Sequence, residues 1–133
     1  MAFFFEANKS ENYIARWLRA GPRQHLFFRP EEVRVAIVTC GGLCPGANVV
    51  VQEITKSLYN NYGVKQIYGI RYGYKGFYLH EWIELNPDVV ESIHHSGGMF
   101  LGTSRGGFDL EQILDSLVYK HINQVRNFRK VFS

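Results

Sequence analysis

An apolar run, Val33-Arg34-Val35-Ala36-Ile37-Val38, feeds directly into Thr39-Cys40-Gly41-Gly42-Leu43-Cys44-Pro45-Gly46-Ala47-Asn48, and that junction restricts the fold more than any other stretch. A short run of mostly β-branched residues with a single charge suits a strand covered on both faces, as in a parallel α/β sheet. Two adjacent glycines then allow the chain to turn sharply and to approach a ligand closely. Val50, Val51, Ile54 and Leu58 follow at helical spacing and predict a helix over 47–59. The loop therefore presents the unpaired N–H groups and positive dipole end of that helix beyond the end of the strand, an arrangement that favours phosphate.

The loop by itself leaves the ligand open. Gly41 and Gly46 have the spacing of a P-loop, but Ala47-Asn48 stands where a Lys and a Ser or Thr are required, so this is not a Walker motif. Gly41-Gly42 followed by Gly46 does not match the dinucleotide fingerprint either, whose glycines have separate steric duties. On this evidence a tight strand-to-helix turn without any ligand is an equally good reading.

A second glycine cluster shifts the balance. Ser96-Gly97-Gly98-Met99-Phe100-Leu101-Gly102-Thr103-Ser104-Arg105-Gly106-Gly107 brings the two loops to eight of the chain's 13 glycines, so glycine is concentrated where backbone must be bare. Arg105, between Ser104 and Gly106, is a candidate bidentate phosphate clamp. For one arginine without the first loop, a surface residue in a mobile loop is the better reading.

The remainder organises around these loops. Ser10 caps a leader helix with Tyr13, Ile14, Trp17 and Leu18 on one face. Asn60-Asn61-Tyr62-Gly63 is a stop signal, and 64–70 reads as the second strand, parallel to 33–39 through a crossover helix. Tyr72-Gly73-Tyr74-Lys75-Gly76-Phe77 suits a loop at the same edge, with Tyr74 as a packed turn aromatic. Asn86-Pro87-Asp88 predicts a helix with Val89, Val90 and Ile93 inward, ending at Gly97-Gly98. Asp109 through Gln112 predicts a capped helix whose Leu110, Ile113, Leu114, Leu117 and Val118 form one stripe. No internal repeat or low-complexity segment interrupts the pattern.

Composition excludes several classes. With 46% hydrophobic and 20% charged residues the chain is globular, and no apolar run is long enough to span a bilayer, so no membrane partner is expected. A net charge of +3 from scattered residues argues against nucleic acid. Met1-Ala2-Phe3-Phe4-Phe5 is too short for a signal h-region and Glu6 follows at once, so a cytoplasmic protein is expected. Cys40 and Cys44 fit a reducing compartment. A nucleophilic or redox-sensitive thiol is the rival chemistry; against it, no partner histidine is identifiable by spacing, and no second pair of ligands suggests zinc. His94-His95 reads as one packed and one solvated ring at a helix C-terminus, since neighbouring helical residues do not face each other.

Taken together, the two loops, the 72–77 turn, and upstream Ala20-Gly21-Pro22-Arg23 and Phe28-x-Pro30-x-x-Val33 resemble the phosphofructokinase family, most closely its plant-type ATP-dependent 6-phosphofructokinases. The resemblance runs from about 20 to 123, with every piece in the family's order. It implies an α/β fold, a Rossmann-like parallel sheet with flanking helices, here an incomplete N-terminal domain. It implies ATP as phosphoryl donor, with a pyrophosphate-using relative as the alternative, and fructose 6-phosphate as acceptor, with Gly42 contacting ATP from the first loop and Arg105 and Gly106 from the second. Ala47 stands where the family usually has a larger residue.

The resemblance also sets an organisation: a helical leader and extension over 1–32, a partial nucleotide-binding domain over 33–123, and a divergent basic tail over 124–133. In the intact family a Gly-Gly-Asp-Gly turn holds magnesium and a Thr-Ile-Asp-Asn-Asp segment supplies the catalytic base, and neither motif occurs in this sequence. No catalytic residue and no metal ligand is therefore assigned. The expectation is an N-terminal fragment, inactive alone, with alternatives in a non-catalytic module pairing with subunits of the same family as a homo- or hetero-oligomer, or a non-functional truncated product.

Overall fold

The computed structural model describes residues 21–22 and 24–129; the expected leader helix around Tyr13 and Trp17 lies outside them. A 3-10 turn at Pro30–Glu32 leads into strand β1, Arg34–Cys40. Helix α1, Ala47–Lys56, continues as a wider π turn over Ser57–Asn61 and returns the chain to β2, Gln66–Ile70. A single helical turn, α2 at Lys75–Tyr78, precedes the short β3, Trp82–Glu84. After the long second glycine segment come α3, Leu110–Tyr119, and β4, Gln124–Arg129.

The sheet has the order β3-β2-β1-β4. β1 is parallel to β2, with Val38 opposite Ile70, and parallel to β4, with Val38 opposite Asn127. The parallel pair of β1 and β2 with α1 between them is the expected arrangement. β3 instead runs antiparallel to β2, because the intervening turn is too short for the crossover that a parallel strand needs.

β1 anchors both cores because its side chains alternate between them. Val35 and Ile37 pack with Val51 of α1, Ile67, Leu85, Val90, Ile93 and Leu101 on one face. Ala36 and Val38 pack with Ile70, Phe77 and Ile113 on the other. Burying each large aliphatic side chain is worth about 1.5–3 kcal/mol, which makes this central strand the least replaceable element.

Three expectations need correction. Residues 87–92 form successive turns followed by a 3-10 turn at Ile93–His95, not a helix, and Val89 is exposed while Val90 and Ile93 are buried. The segment is tied to α1: Gln52 Nε2 donates to the carbonyls of Val90 and Glu91, and Asn48 Nδ2 to that of Ile93, which also accepts from the Ser96 N–H. The His94 and His95 rings lie 3.8 Å apart, both exposed, since this short turn lets neighbouring rings meet where an α-helix would separate them. On α3 only Ile113 and, in part, Leu117 reach the core; Leu110, Leu114 and Val118 are exposed, because the apolar residues span a wider arc than the sheet face covers.

The stretch set apart as a basic tail contributes, over Gln124–Arg129, the strand paired with β1. Asn123 secures its entry, accepting from Arg34 N–H at 3.0 Å and donating from Nδ2 to the Glu32 carbonyl at 2.6 Å. A boundary after residue 123 therefore divides a continuous sheet.

Candidate functional site

β1 ends at Cys40, and the next residues meet the second glycine segment directly. The Gly41 N–H donates to the Ser104 carbonyl at 3.2 Å, and the Gly42 N–H donates to Thr103 Oγ1 at 3.1 Å. One residue earlier, the buried Thr39 donates from Oγ1 to the Gly102 carbonyl at 2.6 Å. These three bonds zip the two loops together at the carboxyl end of the parallel strands, where open α/β sheets place their ligands.

That zip brings the expected residues into contact. Gly42, at φ +101°, lies under the Arg105 guanidinium: a β-carbon there would stand 3.5 Å from Nε and 3.6 Å from Nη2. Gly106 follows at φ +93° with open space where its side chain would be. Arg105 is exposed, and among the described residues it has no carboxylate partner. Its charge is therefore available to an anion. The amides of Gly41 and Gly42, by contrast, are already engaged in joining the loops, so the glycines contribute close approach rather than free donors.

The end of α1 adds to the positive character of this edge. Its N-cap is Gly46, at φ +80°, with no side-chain cap and no acidic residue in the first turn. The positive dipole end and its unpaired N–H groups are left without compensation from the helix itself. Beside it lies a cavity of about 240 Å³ lined by Cys40, Cys44, Gly46, Ala47, Met99 and Phe128 among others. Cys40 is buried there and donates from Sγ to Asn127 Oδ1 at 3.2 Å, a packed small thiol; Cys44 is exposed.

The second loop is held from three further sides. Asn48, nearly buried on the first turn of α1, donates from Nδ2 to the carbonyls of Ile93 at 3.0 Å, Ser96 at 3.3 Å and Gly98 at 3.1 Å. Its Oδ1 accepts from the Phe100 N–H at 2.8 Å. From the turn after β2, the Tyr72 N–H donates to the Leu101 carbonyl at 2.8 Å, and Gly73 lets the turn pack against Ser104. From α2, Tyr78 donates to the Gly107 carbonyl at 3.2 Å. Tyr74 is a packed turn aromatic as expected, edge-on to Phe108 with its hydroxyl accepting from Asn127 Nδ2 at 2.6 Å.

Asn48, Thr39 and Thr103 were not identified from the sequence as loop clamps. A signal existed for the first: Asn48 and Gln52 are two carboxamides four residues apart on the same stripe as Val51 and Thr55, and carboxamides on an inward face need partners from another segment. Thr39 and Thr103 carry no such pattern.

At the exit of the loop, Asp109 caps α3. Its carboxylate accepts from Gln112 Nε2 at 2.6 Å and from the Gln112 N–H at 3.2 Å. These bonds, the side-chain one foremost, hold the carboxyl below its ordinary value.

Residues 34–126 match the phosphofructokinase family profile. The chain is 55% identical over 107 residues to ATP-dependent 6-phosphofructokinase 7 of Arabidopsis thaliana, covering 80% of this chain and 22% of that protein. It is 54% identical to the chloroplastic ATP-dependent 6-phosphofructokinase 4 of the same plant, with 80% and 20% covered. With an ATP-dependent 6-phosphofructokinase of Borreliella burgdorferi the identity is 46% over 112 residues, 82% and 25% covered. The chain thus spans about a fifth to a quarter of the length of these relatives. The matched region contains both glycine loops and strands β1, β2 and β3, and the chain belongs to the phosphofructokinase family.

Proposed function

We propose that this chain is the N-terminal, ATP-holding part of an ATP-dependent 6-phosphofructokinase, which moves the γ-phosphoryl of ATP to fructose 6-phosphate in glycolysis. The observation that supports this most is the Arg105 guanidinium lying against the bare backbone of Gly42 at the carboxyl edge of the sheet. Arg105 holds a phosphate oxygen pair through its planar fork, Gly42 and Gly106 admit the phosphate chain close to the backbone, and the uncapped end of α1 adds positive potential. Phosphoryl transfer relies chiefly on positioning and on neutralising charge, and these residues serve the donor side of it.

Among the described residues no group of three or more His, Cys, Asp or Glu stands together. Asp109 is engaged as a helix cap and has no assigned role as a base. The reading is that the chain alone binds ATP without turnover. A coupled assay with the purified chain, ATP, magnesium and fructose 6-phosphate tests this. No product is expected, and turnover that disappears in Arg105→Ala would overturn the donor-side-only assignment. No helix among the described residues is long and apolar enough to cross a membrane; a cytoplasmic location is part of the proposal.

A second reading, a module that pairs with subunits of the same family, is favoured by the exposed row Leu110, Leu114 and Val118 on α3 and by β4, one of the two edge strands of the sheet among the described residues. Sedimentation of the chain mixed with a full-length family subunit tests it, with co-migration expected and separate migration contradicting it.

A further inference from the structure

A second arginine stands at this edge. Arg71 directly follows β2, and the parallel register that sets Val38 opposite Ile70 puts it level with Thr39, immediately before the first glycine loop. Its neighbours belong to the second loop: the Tyr72 N–H donates to the Leu101 carbonyl at 2.8 Å, the Tyr72 ring covers Gly102, and Gly73 abuts Ser104. Arg71, from the end of β2, and Arg105, in the second loop over Gly42, therefore stand at the same edge of the sheet.

The state of the Arg71 side chain is unusual. Its guanidinium lies over the Tyr72 ring, 4.9 Å from the centroid, and its Nε is buried with no acceptor of any kind. Among the described residues no carboxylate pairs with it. A buried N–H on a charged group without an acceptor is costly, so this pose is not the most favourable one open to the side chain. The platform beneath it is itself strained: Tyr72 has φ +60°, a conformation that non-glycine residues adopt rarely and that clusters at functional sites.

We infer that Arg71 is a second phosphate-holding arginine of this edge, resting on Tyr72 until an anion supplies the acceptor that its Nε lacks. The inference rests on the nucleotide reading above and extends it to a residue outside the two glycine loops. The ligand class is a phosphoanhydride chain, since two guanidinium forks at one sheet edge suit an anion with several oxygens in a row. Arg71 is a binding residue in this account and takes no part in proton transfer.

Titration calorimetry on the whole chain, with ATP and with tripolyphosphate as separate probes, tests it in the parent, R71M and R105M, alongside the thermal midpoint of each unliganded protein. R71M keeps the apolar stem and removes the unpaired donor, so its midpoint should equal or exceed the parent's while its affinity for both probes falls roughly tenfold. R71K keeps the charge without the fork; an intermediate loss is expected, and it carries the test should R71M not fold. Parent-like affinity in R71M with R105M weakened overturns this inference and leaves the nucleotide reading intact. A lowered midpoint with parent-like affinity assigns Arg71 to the scaffold and overturns it as well. A parent that binds neither probe overturns both readings together.

Discussion

Arg105 lies over Gly42 with its Nε 3.5 Å from where a β-carbon would stand, an ordinary contact distance. A methyl group therefore fits, and the cost of Gly42→Ala comes from the backbone, held at φ +101°. Stability should fall by about 1–2 kcal/mol in urea unfolding, the usual penalty for an L-residue in left-handed conformation. Gly46→Ala makes the comparison informative: at φ +80° with nothing near its missing side chain, it should lose similar stability without disturbing Arg105. Only Gly42→Ala, and more strongly Gly42→Val, should also weaken ATP. Equal affinity losses in the two alanine variants would show that Gly42 has no special relation to Arg105.

Asn48 should matter more to stability than any residue of the glycine loops. Asn48→Ala removes donors from three carbonyls and the acceptor of the Phe100 N–H, most of them shielded from water. A loss of about 2–3 kcal/mol is expected, as for buried polar groups left unsatisfied. Asn48→Asp should be worse, because it keeps the acceptor but sets a negative charge against three carbonyl oxygens. Urea midpoints order the variants; Asn48→Asp at or above the parent would contradict the clamp.

Asp109 predicts a pH effect localised at the start of α3. Its carboxyl is held below the ordinary value by the Gln112 side chain first and the Gln112 backbone second. A depressed folded-state value means that the stabilisation is present above the unfolded-state value and is lost as pH falls through the folded one. The Gln112 backbone and side-chain amide resonances should therefore titrate together at a midpoint below that of an ordinary aspartate, and lose this titration in Asp109→Ala. A midpoint at or above the ordinary one would contradict the capping bonds.

The sheet and the meeting of the loops were legible because local signals and topology agree there. The unbroken apolar run of β1 demands cover on both faces, and a glycine turn followed by helical spacing leaves few ways to continue. The 87–98 segment was not legible, since its carbonyls also accept from Asn48 and Gln52 of α1, long-range contacts that the proline and aspartate start signals cannot reveal. β4 was hidden by its composition: Gln124, Arg126 and Asn127 read as a solvated tail, and only pairing with the buried β1 makes a strand of them. The breadth of the apolar arc on α3 was visible, but not how narrow a strip of sheet it would meet.

The most direct test of the account is the affinity of the chain for ATP in the parent and in Arg105→Met, measured by titration calorimetry at low and moderate salt. Arg105 is exposed and has no carboxylate partner among the described residues, so its replacement should leave stability within about 0.5 kcal/mol of the parent, as for ordinary surface changes. Loss of a charge-assisted contact should meanwhile weaken ATP by about 1.5–3 kcal/mol, roughly 10- to 150-fold, with a shallower salt dependence than the parent. An Arg105→Met chain that binds ATP as tightly as the parent, with the same response to salt, would contradict the claim that these two loops form a phosphate-holding edge.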